Sequence, residues 1–126
     1  MIVGHGVDLV EIGRIARSID EHGERFLERV FTTRERDDAG EGPKRIEKLA
    51  ARFAAKEAAL KAIGTGWSRG IAWTDIETAS EFSGKPTLRV GGVAGDIARD
   101  LGGARWHLSL SHTATHAIAS VILEGQ

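Results

Sequence analysis

The sequence contains no cysteine, and of its 126 residues only two are proline. The absence of cysteine excludes disulfides and thiolate metal sites, and it is compatible with a reducing cytoplasm. No apolar run is long enough to cross a bilayer, and residues 1–5 lack the basic and apolar regions of a signal peptide. We therefore expect a cytoplasmic protein that makes no use of a membrane.

An excess of one charge is also missing, because 17 basic and 18 acidic residues give a formal net charge of −1. The protein therefore has no overall positive electrostatic field that would attract nucleic acid or an anionic membrane. The 41% of hydrophobic residues and the 28% of charged residues are ordinary for a globular protein. With this length, they predict a single domain over residues 1–126.

Several common functional motifs are absent as well. The sequence has no Walker A pattern, no G-x-G-x-x-G between a strand and a helix, and no G-x-S-x-G elbow. The glycines of residues 64–66 form too short a signal to predict a phosphate loop. Four of the histidines show no metal-ligand spacing, namely His5, His22, His107 and His116.

The hydrophobic pattern predicts short strands and helices around one long helix. It indicates an α+β fold, in which a largely antiparallel sheet packs against a helix of residues 43–63. The predicted strands are 2–10, 71–82, 87–90, 106–111 and 116–123. One further predicted helix carries Ile12, Ile15, Ala16 and Ile19 and is interrupted by Gly23, and a short helical piece with Phe26, Leu27 and Val30 follows it. Another short helix starts with a capping box at Thr32 and Glu35, and a last one covers 93–101.

The predicted long helix places Glu57 four residues before Lys61, so the two side chains share one face beside the small residues Ala50 and Ala54. The small residues leave room for another group to approach. A carboxylate and an ammonium in this position suit a metal-bridged phosphate. The alternative is an ordinary ion pair on a solvated helix face, which is common.

Asp8 lies on the glycine face of the first predicted strand, together with Gly4 and Gly6. Glycines in a strand allow close approach by another group. The alternative role of Asp8 is to cap the helix that follows. Asp8 and Glu57 would form a pair of hard oxygen donors suited to Mg²⁺, but their distance in sequence leaves open whether they meet.

Two further features each have two interpretations. A locally basic strip is formed by Arg14, Arg17, Arg25 and Arg29, and it is either a solvated face or a docking surface for an acidic protein.

His112 follows a strand of alternating apolar and polar residues. There it is either a surface residue at a turn or a group that meets a ligand.

Taken together, several segments resemble the small bacterial holo-acyl-carrier-protein synthases, which are 4′-phosphopantetheinyl transferases. The order, the spacing and the chain length all agree with that family. The matching segments are residues 6–15, 24–32, 52–62, 64–66, 84–86 and 109–113.

This resemblance implies an enzyme that moves 4′-phosphopantetheine from coenzyme A to a serine of apo-acyl carrier protein in fatty-acid synthesis. It also implies a homotrimer with each active site shared between two subunits. Its implied catalytic residues are Asp8, Glu57 and Lys61. The first two would hold Mg²⁺, and the base for the serine hydroxyl is either Glu57 or a water held by the metal.

The resemblance further implies contacts outside the metal site. Coenzyme A would meet Lys61, Gly64, Gly66, Lys85, Pro86 and His112. The acyl carrier protein would meet Arg14, Arg25 and Arg29. Two alternatives remain: a catalytically silent module that binds coenzyme A or the carrier protein, and a structural subunit whose Glu57–Lys61 pair is only a surface ion pair.

Overall fold

The computed structural model describes residues 1–126 and contains five strands and five α-helices. Strands β1, β5 and β4 form an antiparallel sheet in that order, and β2 and β3 form a separate hairpin beside β4. The elements in chain order are β1 Ile2–Glu11, α1 Ile12–His22, α2 Glu24–Val30, α3 Thr33–Ala39, α4 Arg45–Ile63, β2 Ile76–Ser80, β3 Pro86–Val90, α5 Gly92–Asp100, β4 Gly103–His112 and β5 His116–Gly125.

Helix α4 lies across the inner face of the three-stranded sheet, as the sequence predicts, and its Ala-rich face is buried there. The close approach depends on glycine. A Cβ atom on Gly4 would lie 2.0 Å from the carbonyl oxygen of Ala62, and one on Gly6 would lie 1.9 Å from that of Ala58. The strand therefore needs glycine at both positions, because a larger residue would push the helix away.

The space beside the small helix residues is thus filled by the protein itself. Ala50 and Ala54 are completely buried. The expectation that this space would admit a ligand is wrong, because neither residue has any exposed surface. The glycines of β1 serve the same packing.

The predicted strand of residues 71–82 is also partly wrong. Only Ile76–Ser80 is extended, while Trp73–Asp75 forms a 3₁₀ turn and Phe82 is fully exposed at the hairpin tip. The side chain of Asp75 accepts a hydrogen bond from the backbone N–H of Ala72, which stabilises the turn in place of a strand. The apolar spacing from Trp73 to Ile76 is three residues, which does not fit the period of two that a strand requires.

Helix α3 begins with the predicted capping box. The backbone N–H of Glu35 donates to the Thr32 hydroxyl at 3.2 Å, and the Glu35 carboxylate accepts from the Thr32 N–H at 3.0 Å. Glu35 itself is completely buried, and its second oxygen accepts from the backbone and the hydroxyl of Thr78. This one side chain therefore joins α3 to β2.

Candidate active site

Lys61 joins the first strand to the last turn of α4. Its Nζ donates to the carbonyl oxygen of Val7 at 3.0 Å and to Oδ1 of Asp8 at 3.2 Å. The Asp8 side chain is 17% exposed and that of Lys61 is 55% exposed. The structure therefore brings together two residues that sequence spacing could not connect.

Glu57 lies one helical turn before Lys61, close enough to Asp8 for the two carboxylates to interact. Burial raises the pKa of Glu57 above its usual 4.5, and the Asp8 charge raises it further. The Trp67 indole and the charges of Arg14 and Lys61 lower the pKa of Glu57 and so act in the opposite direction. Asp8, Glu57 and Lys61 thus form one cluster at the junction of β1 and α4.

This geometry bears on both alternatives raised by the sequence. Lys61 pairs with Asp8, and no Glu57–Lys61 ion pair forms. The residue at the N-cap of α1 is Glu11, whose side chain makes no capping bond, so Asp8 does not cap that helix.

The two carboxylates fit a divalent cation that takes part of its coordination from elsewhere. The chain has no group of three or more His, Asp or Glu residues that could hold a metal. Asp8 and Glu57 supply hard oxygen donors on a partly open surface, and their mutual repulsion favours a cation between them. Such a pair suits Mg²⁺, which commonly uses one or two carboxylates together with water and substrate phosphates.

The segment after α4 lies open beside this cluster. Gly64 ends the helix in the left-handed conformation, with a φ of 76°, and Gly66 has a φ of 58°. No atom lies within 4 Å of a Cβ built on either residue. The backbone here is therefore free to approach a ligand, although the helix end alone already favours glycine at position 64.

His112 lies in a different place within the chain. Its Nε2 is 3.0 Å from Oε1 of Glu47, near the start of α4. Glu47 and Lys61 are fourteen positions apart on the helix, which is about 21 Å along its axis. The structure therefore does not bring His112 to the Asp8–Lys61 cluster of the same chain.

Around His112 the chain forms a basic cavity of about 290 Å³. Lys44, Lys48 and Arg52 line it from one side of α4. The Arg52 guanidinium is buried, and its Nε has no hydrogen-bond partner. Three cations line this cavity against the single carboxylate of Glu47, so the lining carries a net positive charge that is suited to an anion.

Lys85 and Pro86 line a groove of about 460 Å³ between β3 and β4. Arg105 and His107 lie on its opposite wall. Asp8, Glu57 and Lys61 do not line this groove. The residues that the resemblance assigns to coenzyme A are therefore divided between two regions of one chain.

The three predicted partner residues do share one surface. Arg14 and Arg29 line a groove of about 210 Å³ with Phe26 and Phe53, and Arg25 lines an adjoining one with Phe26 and Arg29. Arg17, the fourth member of the basic strip, pairs instead with Glu11 at 3.1 Å. The result is an exposed basic rim around an apolar floor.

Sequence reasoning missed the cations at Lys44, Lys48 and Arg52 as a set. Their spacing of four residues places them on one helix face, and this spacing was the available signal.

Comparisons with known proteins identify the family of this chain. Residues 4–121 match the 4′-phosphopantetheinyl transferase superfamily. A holo-[acyl-carrier-protein] synthase of Koribacter versatilis (strain Ellin345) is 52% identical over 124 residues, which are 98% of this chain and 99% of that protein.

Solved structures give the same result. A holo-[acyl-carrier-protein] synthase of Neisseria meningitidis superposes with a TM-score of 0.89 at 34% identity, over 98% of this chain and 99% of that one. A synthase of Bacillus anthracis str. Ames, in complex with CoA (3′,5′-ADP), superposes with a TM-score of 0.82 at 38% identity, over 100% and 99% of the two chains. The chain therefore belongs to the 4′-phosphopantetheinyl transferase superfamily, and within it to the holo-[acyl-carrier-protein] synthase family.

Proposed function

We propose that this chain transfers 4′-phosphopantetheine from coenzyme A to a serine of apo-acyl carrier protein, with Mg²⁺ held by Asp8 and Glu57. The observation that carries this proposal is the meeting of Asp8, Glu57 and Lys61 at the junction of β1 and α4. In the cell the reaction would serve fatty-acid synthesis in the cytoplasm. No helix of the structure has the length and apolar character needed to span a bilayer.

In the reaction the serine oxygen attacks the phosphorus that carries the pantetheine arm. A P–O bond forms, the pyrophosphate P–O bond breaks, and adenosine 3′,5′-bisphosphate leaves, while the serine proton passes to a base that is either Glu57 or a water molecule. When bound, Mg²⁺ would neutralise phosphate charge and orient the pyrophosphate. Lys61 is half-exposed, so it can turn from Asp8 to a phosphate oxygen and stabilise the charge that develops there.

The remaining coenzyme A contacts point to a second subunit. His112, Lys48 and Arg52 line a basic cavity that is distant from Lys61 of the same chain, and Lys85 and Pro86 line a separate groove. In a homotrimer, one subunit would supply Asp8, Glu57, Lys61 and the open backbone at Gly64 and Gly66. The neighbouring subunit would supply the basic cavity and the groove.

The outer face of the three-stranded sheet supports this assembly, because it exposes apolar residues that a monomer would leave in water. Leu9 is 61% exposed, and beside it Val7 and Ile118 are also exposed. Leu9 and Ile118 are direct cross-strand partners, so the residues form one patch. A second and third copy of the chain are the occupants that the proposed trimer requires.

The carrier protein would dock on the rim formed by Arg14, Arg25 and Arg29. Acyl carrier proteins are acidic, and a basic rim around an apolar floor complements a negative surface. The groove between Arg14 and Arg29 reaches Phe53, which lies one turn before Glu57 on α4. A carrier bound here would therefore hold its serine close to the proposed metal site.

The decisive experiment is an intact-mass assay with apo-acyl carrier protein, coenzyme A, Mg²⁺ and this protein. We expect a mass gain equal to phosphopantetheine that disappears with a chelator and in Asp8→Ala and Glu57→Ala variants that remain folded. No mass gain, with coenzyme A still bound, would favour the silent binding module. Mass gain in the presence of chelator would contradict the metal requirement.

The shared site has its own test. Asp8→Ala and His112→Ala variants should each be inactive alone, but trimers assembled from a mixture should regain part of the activity, because some interfaces then contain two intact halves. A mixture that exchanges subunits and stays inactive would show that each site lies within one chain.

A further inference from the structure

The exposed apolar patch occupies only one part of the outer face of the three-stranded sheet. Gly6 faces α4, so the side chains on either side of it, His5 and Val7, point to the outer face. The cross-strand partner of His5 on β5 is Ile122, and the partner of Ile122 on β4 is His107. The outer face therefore continues from the apolar patch into a row that contains two histidines.

The histidine on β4 has a carboxylate partner. His107 Nε2 lies 2.9 Å from Oε1 of Glu124, and a nitrogen of Arg105 lies 3.5 Å from the same oxygen. The hydrogen bond with His107 and the charge of Arg105 lower the pKa of Glu124, so this carboxylate remains ionised in mild acid. A protonated His107 is therefore compensated within its own chain.

The histidine on β1 has no such partner. His5 is exposed, and its side chain makes neither a hydrogen bond nor an ion pair. The other charged or titratable groups at this end of the outer face are on the neighbouring strands and at the chain start, namely His107, Arg105, Glu124 and the amino group of Met1. The only carboxylate among them already serves His107 and Arg105, so a positive charge on His5 would be unpaired.

We propose that His5 makes self-association through the outer face depend on pH: copies of the chain associate while His5 is neutral and separate when it is protonated. This inference rests on the proposed function, which assigns a second and a third copy to this face. A neutral imidazole can be covered by another subunit, whereas an unpaired imidazolium would lose its hydration there. Symmetry also brings several copies of the charge to one assembly, where they repel each other.

The sign of the effect follows from proton binding. Histidine side chains gain their charge between about pH 8 and pH 5. Because the interface disfavours the charged form, free subunits bind more protons than the trimer, and association weakens as the pH falls. The association constant should fall by up to about tenfold per pH unit for each proton taken up. Transfer activity would be lost with the trimer, because the neighbouring subunit completes the proposed active site.

The test is the molar mass in solution, measured by light scattering at about pH 8 and about pH 5.5. We expect a trimer at the higher pH and a reversible loss of trimer at the lower pH, with an unchanged circular dichroism spectrum. His5→Gln should remain a trimer at both values. His107→Gln, which removes the compensated histidine of the same face, should keep the pH response of the unchanged protein. His22→Gln, which removes an exposed histidine at the end of α1, is the control outside the sheet.

A second measurement needs no variant. The midpoint pH of dissociation of the unchanged protein should rise when the protein is diluted, because dilution and proton uptake both favour separate subunits. A midpoint that does not depend on concentration would overturn the inference. This readout remains available even if His5→Gln fails to fold.

The outcomes separate this inference from the proposed function. If the unchanged protein is a monomer at pH 8, the proposed trimer fails and the inference fails with it. If the unchanged protein is a trimer at both values, or if His5→Gln dissociates at the same pH as the unchanged protein, the inference about His5 is overturned and the proposed function stands.

Discussion

Helix α4 carries two lysines, Lys56 and Lys61, that each pair with a carboxylate from an earlier part of the chain. Lys56 is completely buried, and its Nζ lies 2.7 Å from Oε1 of Glu35. Lys61 is 55% exposed and reaches Asp8 at 3.2 Å. Two similar ion pairs, less than two helical turns apart, therefore have opposite surroundings.

The surroundings determine what each pair can do. Lys56 also donates to the backbone carbonyls of Trp73 and Ile76, so its donors are used within the fold. Burial lowers its pKa, and the charge of Glu35 opposes that shift. Lys61 has water on one side and can exchange its partner for a ligand. The buried pair fixes the position of α4, and the exposed pair remains available for chemistry.

The largest expected effect is on the buried pair. Lys56→Met should lower the free energy of unfolding by about 3–5 kcal/mol, because it leaves the Glu35 carboxylate buried without a cation. Urea denaturation followed by circular dichroism measures this change. A loss below about 1 kcal/mol would mean that Glu35 finds water or another donor, and the contrast between the two lysines would then be wrong.

The same substitution at the exposed pair should have the reverse pattern. Lys61→Met should lower kcat/KM by about 10²–10³-fold, which is typical for the loss of one group that stabilises transition-state charge. Its free energy of unfolding should change by no more than about 1 kcal/mol, because exposed ion pairs contribute little. Transfer kinetics and urea denaturation of one preparation give both values. Normal turnover in Lys61→Met would exclude a role for Lys61 in the reaction.

Only part of this contrast could be predicted from the sequence. The pattern predicted the long helix, the final hairpin and the capping box of Glu35, since these depend on local periodicity and spacing. It gave no sign that Lys56 is buried, because that depends on contacts with α3 and β2 that are distant in sequence. Local pattern could not show which lysine is exposed.

The candidate site has the same limit. Glycines on β1 predicted a close approach, but the approaching group is the backbone of α4, which only the folded chain reveals. Asp8 was connected to Glu57 by resemblance alone. Arg52 was overlooked because an amphipathic helix ordinarily exposes its cations, whereas Arg52 is buried and lines a cavity beside His112.

A third cation extends the comparison from the metal cluster to the docking rim. Arg14 is exposed, lies over the Phe53 ring and forms no ion pair at salt-bridge distance, although its charge acts on Glu57. Arg14→Glu should weaken carrier use by about tenfold through a lower association rate, with a larger effect at low salt. The KM for coenzyme A should not change. Arg99→Glu on α5 applies the same charge change elsewhere, and an equal loss in that control would assign the effect to net charge.

The smallest expected effect concerns Glu57 in the absence of metal. Burial and the neighbouring Asp8 raise the pKa of Glu57 above 4.5, so the folded protein binds this proton more tightly than the unfolded chain does. Without metal, the free energy of unfolding should therefore fall as the pH rises from about 4.5 through the raised pKa of Glu57. Above that pKa the full loss of stability is present.

Glu57→Gln removes the cost of keeping an ionised carboxylate at this position in the folded protein. Glu28→Gln on the exposed face of α2 should leave the free energy of unfolding unchanged. In a chelator at pH 7, Glu57→Gln should be more stable than the unchanged protein by less than about 1 kcal/mol, since solvent screens a partly exposed carboxylate. The difference should vanish below pH 4.5, where both states hold the proton. Denaturation curves at the two pH values measure it. A variant that is less stable at pH 7 would show that Glu57 supports the fold as Lys56 does, and the separation between the structural pair and the chemical cluster would then be lost.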